Sequence, residues 1–184
     1  MSGARCAAIT DVVVWVEGGP NRLFRNGRGD CGPGTGGPAL ADPDGDARGV
    51  SLVDEGGRFA LTVGNWEGES RLLRRAGDGP YRDDAPPAFR ATDRVRSVVA
   101  ADFDNDGRQE LFCNAFGTTN RLFERVDPVG DPDAEPRWSE TSAGAAAEES
   151  GFGTGAVAAD LDDDGVVELL VVHGEVAAQP IGVY

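Results

Sequence analysis

Two stretches of the sequence, ADFDNDGRQELF and ADLDDDGVVELL, carry carboxylates at alternate positions. In each stretch a glycine directly follows three alternating aspartates, and a glutamate lies three residues beyond the glycine. The carboxylates are Asp102, Asp104, Asp106 and Glu110 in the first stretch and Asp160, Asp162, Asp164 and Glu168 in the second. Alternation in a curved loop would turn these side chains inward, and the glycine allows the sharp turn because it adopts positive φ readily. Four like charges this close repel by roughly several kcal/mol at low effective dielectric, so the pattern predicts a bound cation.

The donor set indicates which cation the loops would bind. The backbone carbonyls of Arg108 and Val166, at the seventh position of each loop, would add a fifth oxygen to the four carboxylates. Calcium accepts six to eight oxygen ligands in flexible geometry, whereas magnesium requires a stricter octahedron. An EF-hand would need a glutamate at the twelfth position, which is Cys113 in one loop and Val171 in the other. The sequence therefore predicts two calcium sites, and the alternative is a solvated acidic turn.

The segments that must hold these loops have the character of β-strands. Runs of about five Val, Leu, Phe and Ala residues alternate with Gly, Pro, Asp and Asn, which is typical of strands and turns. The similar segments NRLFRN, SRLLRR and NRLFER begin at Asn21, Ser70 and Asn120, so the period is about 50 residues. A period of this length with about four short strands per unit predicts an all-β fold, a β-propeller of about four blades.

The repeats are expected at about 1–45, 46–92, 93–149 and 150–184, within one propeller domain or a fragment of one. The first unit lacks a clear innermost strand, and the last unit stops before an outermost strand. Either these two units complement each other or the natural propeller is longer. If the four blades do not close, exposed sheet edges and faces invite pairing, so the isolated chain is expected to self-associate or to be only marginally stable.

The loops and their surroundings resemble a known family. DFDNDGRQELF and DLDDDGVVELL are similar to the calcium loops of FG-GAP/VCBS repeats, which occur in the propellers of integrin alpha subunits. GNWEGESRLL, VRSVVAADFDNDGRQELFCNAF and GFGTGAVAADLDDDGVVELLVVHGEVAAQP resemble consecutive blades of the cartilage acidic protein family. The resemblance extends from about Thr10 to Tyr184. It implies a seven-bladed type of propeller with about four blades in this chain, calcium on inter-strand loops, and an extracellular or cell-surface location, although no signal peptide is recognisable.

Two of the four units depart from this pattern. The register places the loop of the second unit at DEGGRFA from Asp54, which is two residues short and lacks the alternating acids. In the first unit, residues 3–11 keep only the last acid. We expect neither loop to bind calcium.

Two other motifs are expected not to be functional sites. DPDGD, from Asp42 to Asp46, has three alternating acids, but Ala47 replaces the glycine and Val50 replaces the closing acid. It is expected to be a solvated loop. RGD at residues 28–30 resembles an adhesion ligand, but the register makes it the glycine-rich turn after NRLFRN.

The net charge of the chain limits the classes of molecule that it can bind. The formal net charge is -15, and all 17 basic residues are arginine. This balance indicates a solvated acidic surface or an adaptation to high salt, where the Debye length falls to about 3 Å at 1 M. A chain this acidic repels phosphate backbones, which argues against nucleic acid. No apolar run approaches the length of a membrane span. Three widely spaced cysteines do not indicate a zinc cluster, and Cys113 is expected to be buried.

Catalysis is not indicated by the sequence. His173 is the only histidine, no GxSxG or P-loop motif is present, and the best-placed carboxylate pairs are explained as calcium ligands. We therefore expect a non-catalytic, calcium-stabilised propeller whose loop faces bind a protein or a glycan. The alternative is an accessory propeller segment of a larger enzyme or transporter assembly.

Overall fold

The computed structural model describes residues 12–16, 19–27, 30–34, 36–77, 79–130, 134–141, 151–174 and 182–183. Within these residues the chain forms four antiparallel sheets of consecutive strands and two one-turn helices, so the predicted all-β class is confirmed. Neither helix has the length or the apolar run needed to cross a membrane. The first-unit loop at 3–11 lies outside the described residues, as do Arg28 and Gly29 of the RGD motif.

The first sheet has three strands in the described part of the chain. They are β1 (Val12–Val14), β2 (Arg22–Gly27) and β3 (Asp30–Gly34), and β2 lies in the centre. Helix α1 (Pro38–Ala41) leads to the second sheet; its first turn begins with proline, which is well tolerated there.

The second and third sheets each have four strands in chain order. The second contains β4 (Ala47–Asp54), β5 (Phe59–Asn65), β6 (Arg71–Arg74) and β7 (Arg82–Asp83). Helix α2 (Pro87–Arg90) connects it to the third. The third contains β8 (Val95–Ala101), β9 (Glu110–Ala115), β10 (Arg121–Val126) and β11 (Arg137–Glu140).

The fourth sheet has three described strands: β12 (Gly153–Ala159), β13 (Glu168–His173) and β14 (Gly182–Val183). Its register repeats that of the second and third sheets. A β-bulge interrupts the first strand pair of each of these sheets at the same place, between Ala47 and Gly49, between Val95 and Ser97, and between Gly153 and Gly155. The three sheets are therefore copies of one unit, and each of the four sheets lies within one expected repeat.

Neighbouring sheets bury separate apolar clusters between them. Between the first two lie Leu23, Leu40, Ala47, Val63 and Leu73. Between the second and third lie Val53, Ala60, Leu72, Ala85, Phe89, Val95, Val98, Leu111, Cys113, Phe123 and Trp138. Between the third and fourth lie Phe112, Leu169 and Val171. Because alternate residues of a strand face opposite sides, Leu111 and Phe112 face different neighbours. The predicted burial of Cys113 is confirmed, and burial raises the pKa of its thiol.

Glycine allows the first strands of the second and third sheets to approach closely. A Cβ on Gly49 would lie 2.7 Å from the Cα of Ser97, whereas Gly155, at the same register position in β12, has nothing within 4 Å. We expect Gly49→Ala to lower the free energy of unfolding by about 1–3 kcal/mol, because one backbone must shift away from the other. Gly155→Ala, the matched control, should be nearly neutral. Urea denaturation measures both, and equal losses would contradict the close approach.

Apolar side chains remain exposed on the fourth sheet. Val157 and Val183 are 52% and 56% exposed, and both pair with Leu170 across the sheet. This face gives the expected self-association a physical basis. Self-association stays a prediction, which light scattering of the purified chain would test.

Candidate metal sites

The loop of residues 102–110 connects β8 to β9 and curves around the carboxylate of Asp102. Oδ1 of Asp102 accepts the backbone N–H of Asp106 at 3.0 Å, and Oδ2 accepts the N–H of Gly107 at 2.9 Å. Asn105 and Gly107 have φ of 58° and 86°, the left-handed backbone that such a turn requires. The predicted turn at Gly107 is therefore confirmed.

Glu110 closes this loop from the first residue of β9. The side chain is buried, and its Oε2 accepts the N–H of Phe103 at 2.8 Å. One carboxylate oxygen from each of Asp102, Asp104 and Glu110 lies within 4.8 Å of the others. Three of the predicted ligands are thus brought together before any ion is considered.

The loop of residues 160–168 connects β12 to β13 and repeats this arrangement. Oδ1 and Oδ2 of Asp160 accept the N–H groups of Asp164 and Gly165 at 3.1 and 2.9 Å. Oε2 of Glu168 accepts the N–H of Leu161 at 2.7 Å. Oxygens of Asp160, Asp162 and Glu168 again lie within 4.8 Å of one another. Asp163, between Asp162 and Asp164, is exposed and has φ of 66°.

The fifth-position acids lie outside these two triads. Oδ1 of Asp106 accepts the N–H of Arg108 at 2.8 Å, and the Arg108 guanidinium pairs with its other oxygen. Asp164 likewise accepts the N–H of Val166 at 2.8 Å. A short acidic side chain readily bonds its own backbone two residues on. Metal ligation by Asp106, Asp164 and the carbonyls of Arg108 and Val166 stays a prediction.

The electrostatics of the first triad favour a cation. Burial and the nearby carboxylates of Asp104, Asp106 and Asp102 raise the pKa of Glu110, although its bond from the Phe103 N–H opposes this. Full ionisation of these neighbouring carboxylates therefore costs free energy because like charges repel. A bound divalent cation would offset that repulsion. The described donors are carboxylate oxygens only, a set that fits calcium better than zinc or copper.

Neighbouring sheets hold the first loop on both sides. Gln109 Oε1 accepts the N–H of Asp54 at 2.8 Å, which attaches the loop to the end of β4. The Phe103 side chain packs against the cluster formed by Phe112, Leu169 and Val171. At the equivalent position of the second loop, Leu161 is exposed. The first loop is therefore part of the packing between sheets, and the second is the more exposed of the two.

The short loop of the second unit, between Asp54 and Phe59, holds an ion pair. The Glu55 carboxylate is 2% exposed and accepts Arg74 Nε at 2.8 Å and Nη2 at 2.6 Å. Trp138 Nε1 donates to the same carboxylate at 2.8 Å. Arg74 belongs to the second sheet and Trp138 to the third. Between these two sheets the Arg74 guanidinium therefore supplies the positive charge that balances the Glu55 carboxylate. The sequence carried no signal of this contact beyond an acid directly after a strand.

The expectation that DPDGD is a solvated loop is wrong for one of its acids. Asp42 is buried: its Oδ1 accepts Arg71 Nη2 at 2.8 Å, and its Oδ2 accepts Asn65 Nδ2 at 2.8 Å. Although burial acts to lower it, hydrogen bonds to Asp42 and Asp83 raise the pKa of Arg71. Asp44 is exposed, as expected. Asp42 is therefore a structural acid already paired with a cation of the chain.

Comparison with known families shows what part of the chain is similar to. A family model described as FG-GAP-like repeat matches residues 57–113, which include the first acidic loop. Residues 57–113 are thus similar to an FG-GAP-like repeat, and the resemblance seen in the motifs of the chain is confirmed.

Along 97% of its length the chain is similar to cartilage acidic protein 1. The identity is 39% to the protein of Mus musculus, 38% to that of Homo sapiens and 37% to that of Xenopus tropicalis. The aligned region covers 29%, 28% and 29% of those proteins, so the chain spans less than a third of the length of the relatives it matches.

Proposed function

We propose that the chain is a non-catalytic, calcium-binding interaction module whose sheets are blades of a β-propeller. The observation that carries the proposal is the pair of equivalent carboxylate triads, one in each of two equivalent loops. Two equivalent loops that share four backbone-to-carboxylate hydrogen bonds and the same carboxylate donors favour a common ligand. A solvated acidic turn would gain nothing from converging three carboxylates in both places.

Calcium bound at these loops would stabilise the fold and would not take part in a reaction. In the first loop Asp102, Asp104 and Glu110 would hold the ion, with Asp106 and the Arg108 carbonyl as further ligands. The matching set in the second loop is Asp160, Asp162, Asp164, Glu168 and the Val166 carbonyl. The ion would be the largest positive charge in the loop and would neutralise the carboxylates. Because its ligands come from both ends of the loop, it would also fix the end of one strand relative to the start of the next.

Three features support the propeller. Each sheet is formed by consecutive antiparallel strands, each neighbouring pair buries its own cluster, and the bulge recurs in three sheets. Blades that are held in register present their connecting loops on common faces, and such faces suit the recognition of a protein or a glycan.

Single substitutions separate the two calcium sites. We expect Asp104→Ala and Asp162→Ala each to remove one bound calcium ion, because each deletes one carboxylate of a triad. Asp44→Ala is the matched control: the residue is an exposed aspartate in an acidic loop outside both triads. Native mass spectrometry in calcium acetate counts the ions per chain. Equal loss of calcium from Asp44→Ala would show that the uptake is not specific.

A further inference from the structure

A cluster of arginine and aromatic side chains lies at the end of the third sheet opposite the first acidic loop. Its members are Trp66, Arg94, Arg96, Phe116 and Phe152, and we call them the arginine–aromatic cluster. At this end of the sheet Val95 pairs with Ala115, whereas at the other end Ala101 pairs with Glu110. A seven-residue strand separates the two ends by about 20 Å, so the cluster is remote from the acidic loops.

The three rings of the cluster form a continuous row across three sheets. Trp66 follows β5, Phe116 follows β9 and Phe152 precedes β12. The ring centroids of Trp66 and Phe116 are 5.4 Å apart, and those of Phe116 and Phe152 are 5.0 Å apart. A backbone bridge also joins Phe116 to Phe152. Because sheet backbones fix the rings, this surface is preorganised for binding.

Two guanidinium groups lie on this row of rings. The Arg96 guanidinium carbon is 4.4 Å from the Trp66 centroid and 5.0 Å from the Phe116 centroid. The Arg94 guanidinium carbon is 6.0 Å from the Trp66 centroid, and its backbone has φ of 52°, which is uncommon for a residue with a side chain. A guanidinium stacked on a ring keeps its N–H edge available for hydrogen bonds.

Neither of these guanidinium groups has an acidic partner in the described part of the chain. Arg96 Nε is buried and donates no hydrogen bond there. In the same part of a chain with net charge -15, other arginines do pair with carboxylates: Arg48, Arg71, Arg74, Arg82, Arg90, Arg108, Arg121 and Arg125. The buried Nε–H of Arg96 lacks an acceptor in the described residues, and a bound anion would supply one.

We propose that the arginine–aromatic cluster docks an acidic segment of a partner protein. A carboxylate of the segment accepts hydrogen bonds from Arg94 and Arg96, and a neighbouring aromatic side chain packs on Phe116 and Phe152. Charge-assisted bonds of this kind are short and directional, which gives specificity for a carboxylate. This inference names a partner class and a surface for the interaction role proposed above, and it does not depend on the acidic loops.

The experiment is a titration followed by ¹⁵N NMR of the whole chain in calcium. The probe is the peptide acetyl-Glu-Phe-Glu-Phe-Glu-amide, and its counterpart has glutamine at each glutamate. We expect the acidic peptide to shift the Trp66 indole and the Arg94 and Arg96 Nε–H signals, and the shifts to weaken as salt is added. Arg94→Gln and Arg96→Gln should each weaken binding about tenfold, as loss of a charged hydrogen bond does.

Controls make the outcome decisive. Arg121→Gln removes a partly exposed arginine that pairs with Glu140 on the two outer strands of the third sheet, and this variant should bind like the wild type. Arg94 is exposed, so its variant keeps the test valid if Arg96→Gln fails to fold. The proposal is overturned by an absence of shifts at millimolar peptide, by equal binding of the glutamine peptide, by binding of a heparin oligosaccharide alone, or by an equal loss in Arg121→Gln. Calcium uptake by the same samples reports separately on the metal proposal.

Discussion

Arg74→Met is expected to lower the free energy of unfolding by about 3–5 kcal/mol, because it leaves the Glu55 carboxylate buried without a cation. The ion pair is almost completely shielded from solvent: the side chains of Arg74 and Glu55 are 10% and 2% exposed. Arg74 Nη2 also donates to the carbonyl of Pro136, which directly precedes β11, at 2.8 Å, so the same substitution removes a second contact between segments of the second and third units. Urea denaturation followed by circular dichroism measures the loss.

Two further variants test this explanation. Arg121→Met removes a pair whose partners are 30% and 32% exposed, and such pairs contribute about 0–1 kcal/mol. Adding Glu55→Gln to Arg74→Met should recover part of the loss, because a neutral amide oxygen still accepts the Trp138 bond. If Arg74→Met costs no more than Arg121→Met, the ion pair is not what joins these sheets.

Calcium is expected to produce the other large effect. A ligand that binds only the folded chain adds about 2.7 kcal/mol per site when its free concentration is 100 times its dissociation constant. Two sites would add roughly 5 kcal/mol, which corresponds to a melting temperature higher by about 10–20 °C in a domain of this size. Chelation should remove this gain, and magnesium should restore it poorly because of its stricter geometry. Differential scanning calorimetry measures the three states.

Variants of the two loops show how much each calcium site contributes to the rise in melting temperature. Asp104→Ala and Asp162→Ala should each keep about half of the calcium-dependent rise, whereas Asp44→Ala should keep all of it. A melting temperature that does not respond to chelator would contradict a structural role for calcium in this fold.

Local spacing was sufficient to predict the strands and the acidic loops. The alternation that places Asp102, Asp104 and Glu110 together is a property of nine consecutive residues, as is the turn at Gly107. The same holds for the recurring sheets, because a strand is specified by a few apolar residues between turn residues. The helices at Pro38 and Pro87 were not predicted, since four residues are too few to show a helical period.

Contacts between sheets could not be predicted in this way. Glu55 and Trp138 are 83 residues apart, and Asp42 and Arg71 are 29 apart. Because DPDGD lacks the glycine and the closing acid of a calcium loop, a solvated loop was expected there, but a cation from another strand allows the burial of Asp42. The arginine–aromatic cluster was missed for the same reason, because its rings come from three units and meet only when the sheets pack.

The most direct test of the account is a calorimetric titration of the whole chain, first freed of metal by chelator, with calcium. We expect uptake of two calcium ions per chain. We expect dissociation constants of about 10⁻⁴ to 10⁻³ M, the range of extracellular calcium modules. An absence of uptake at millimolar calcium would contradict the account and would leave the two triads as solvated acidic turns.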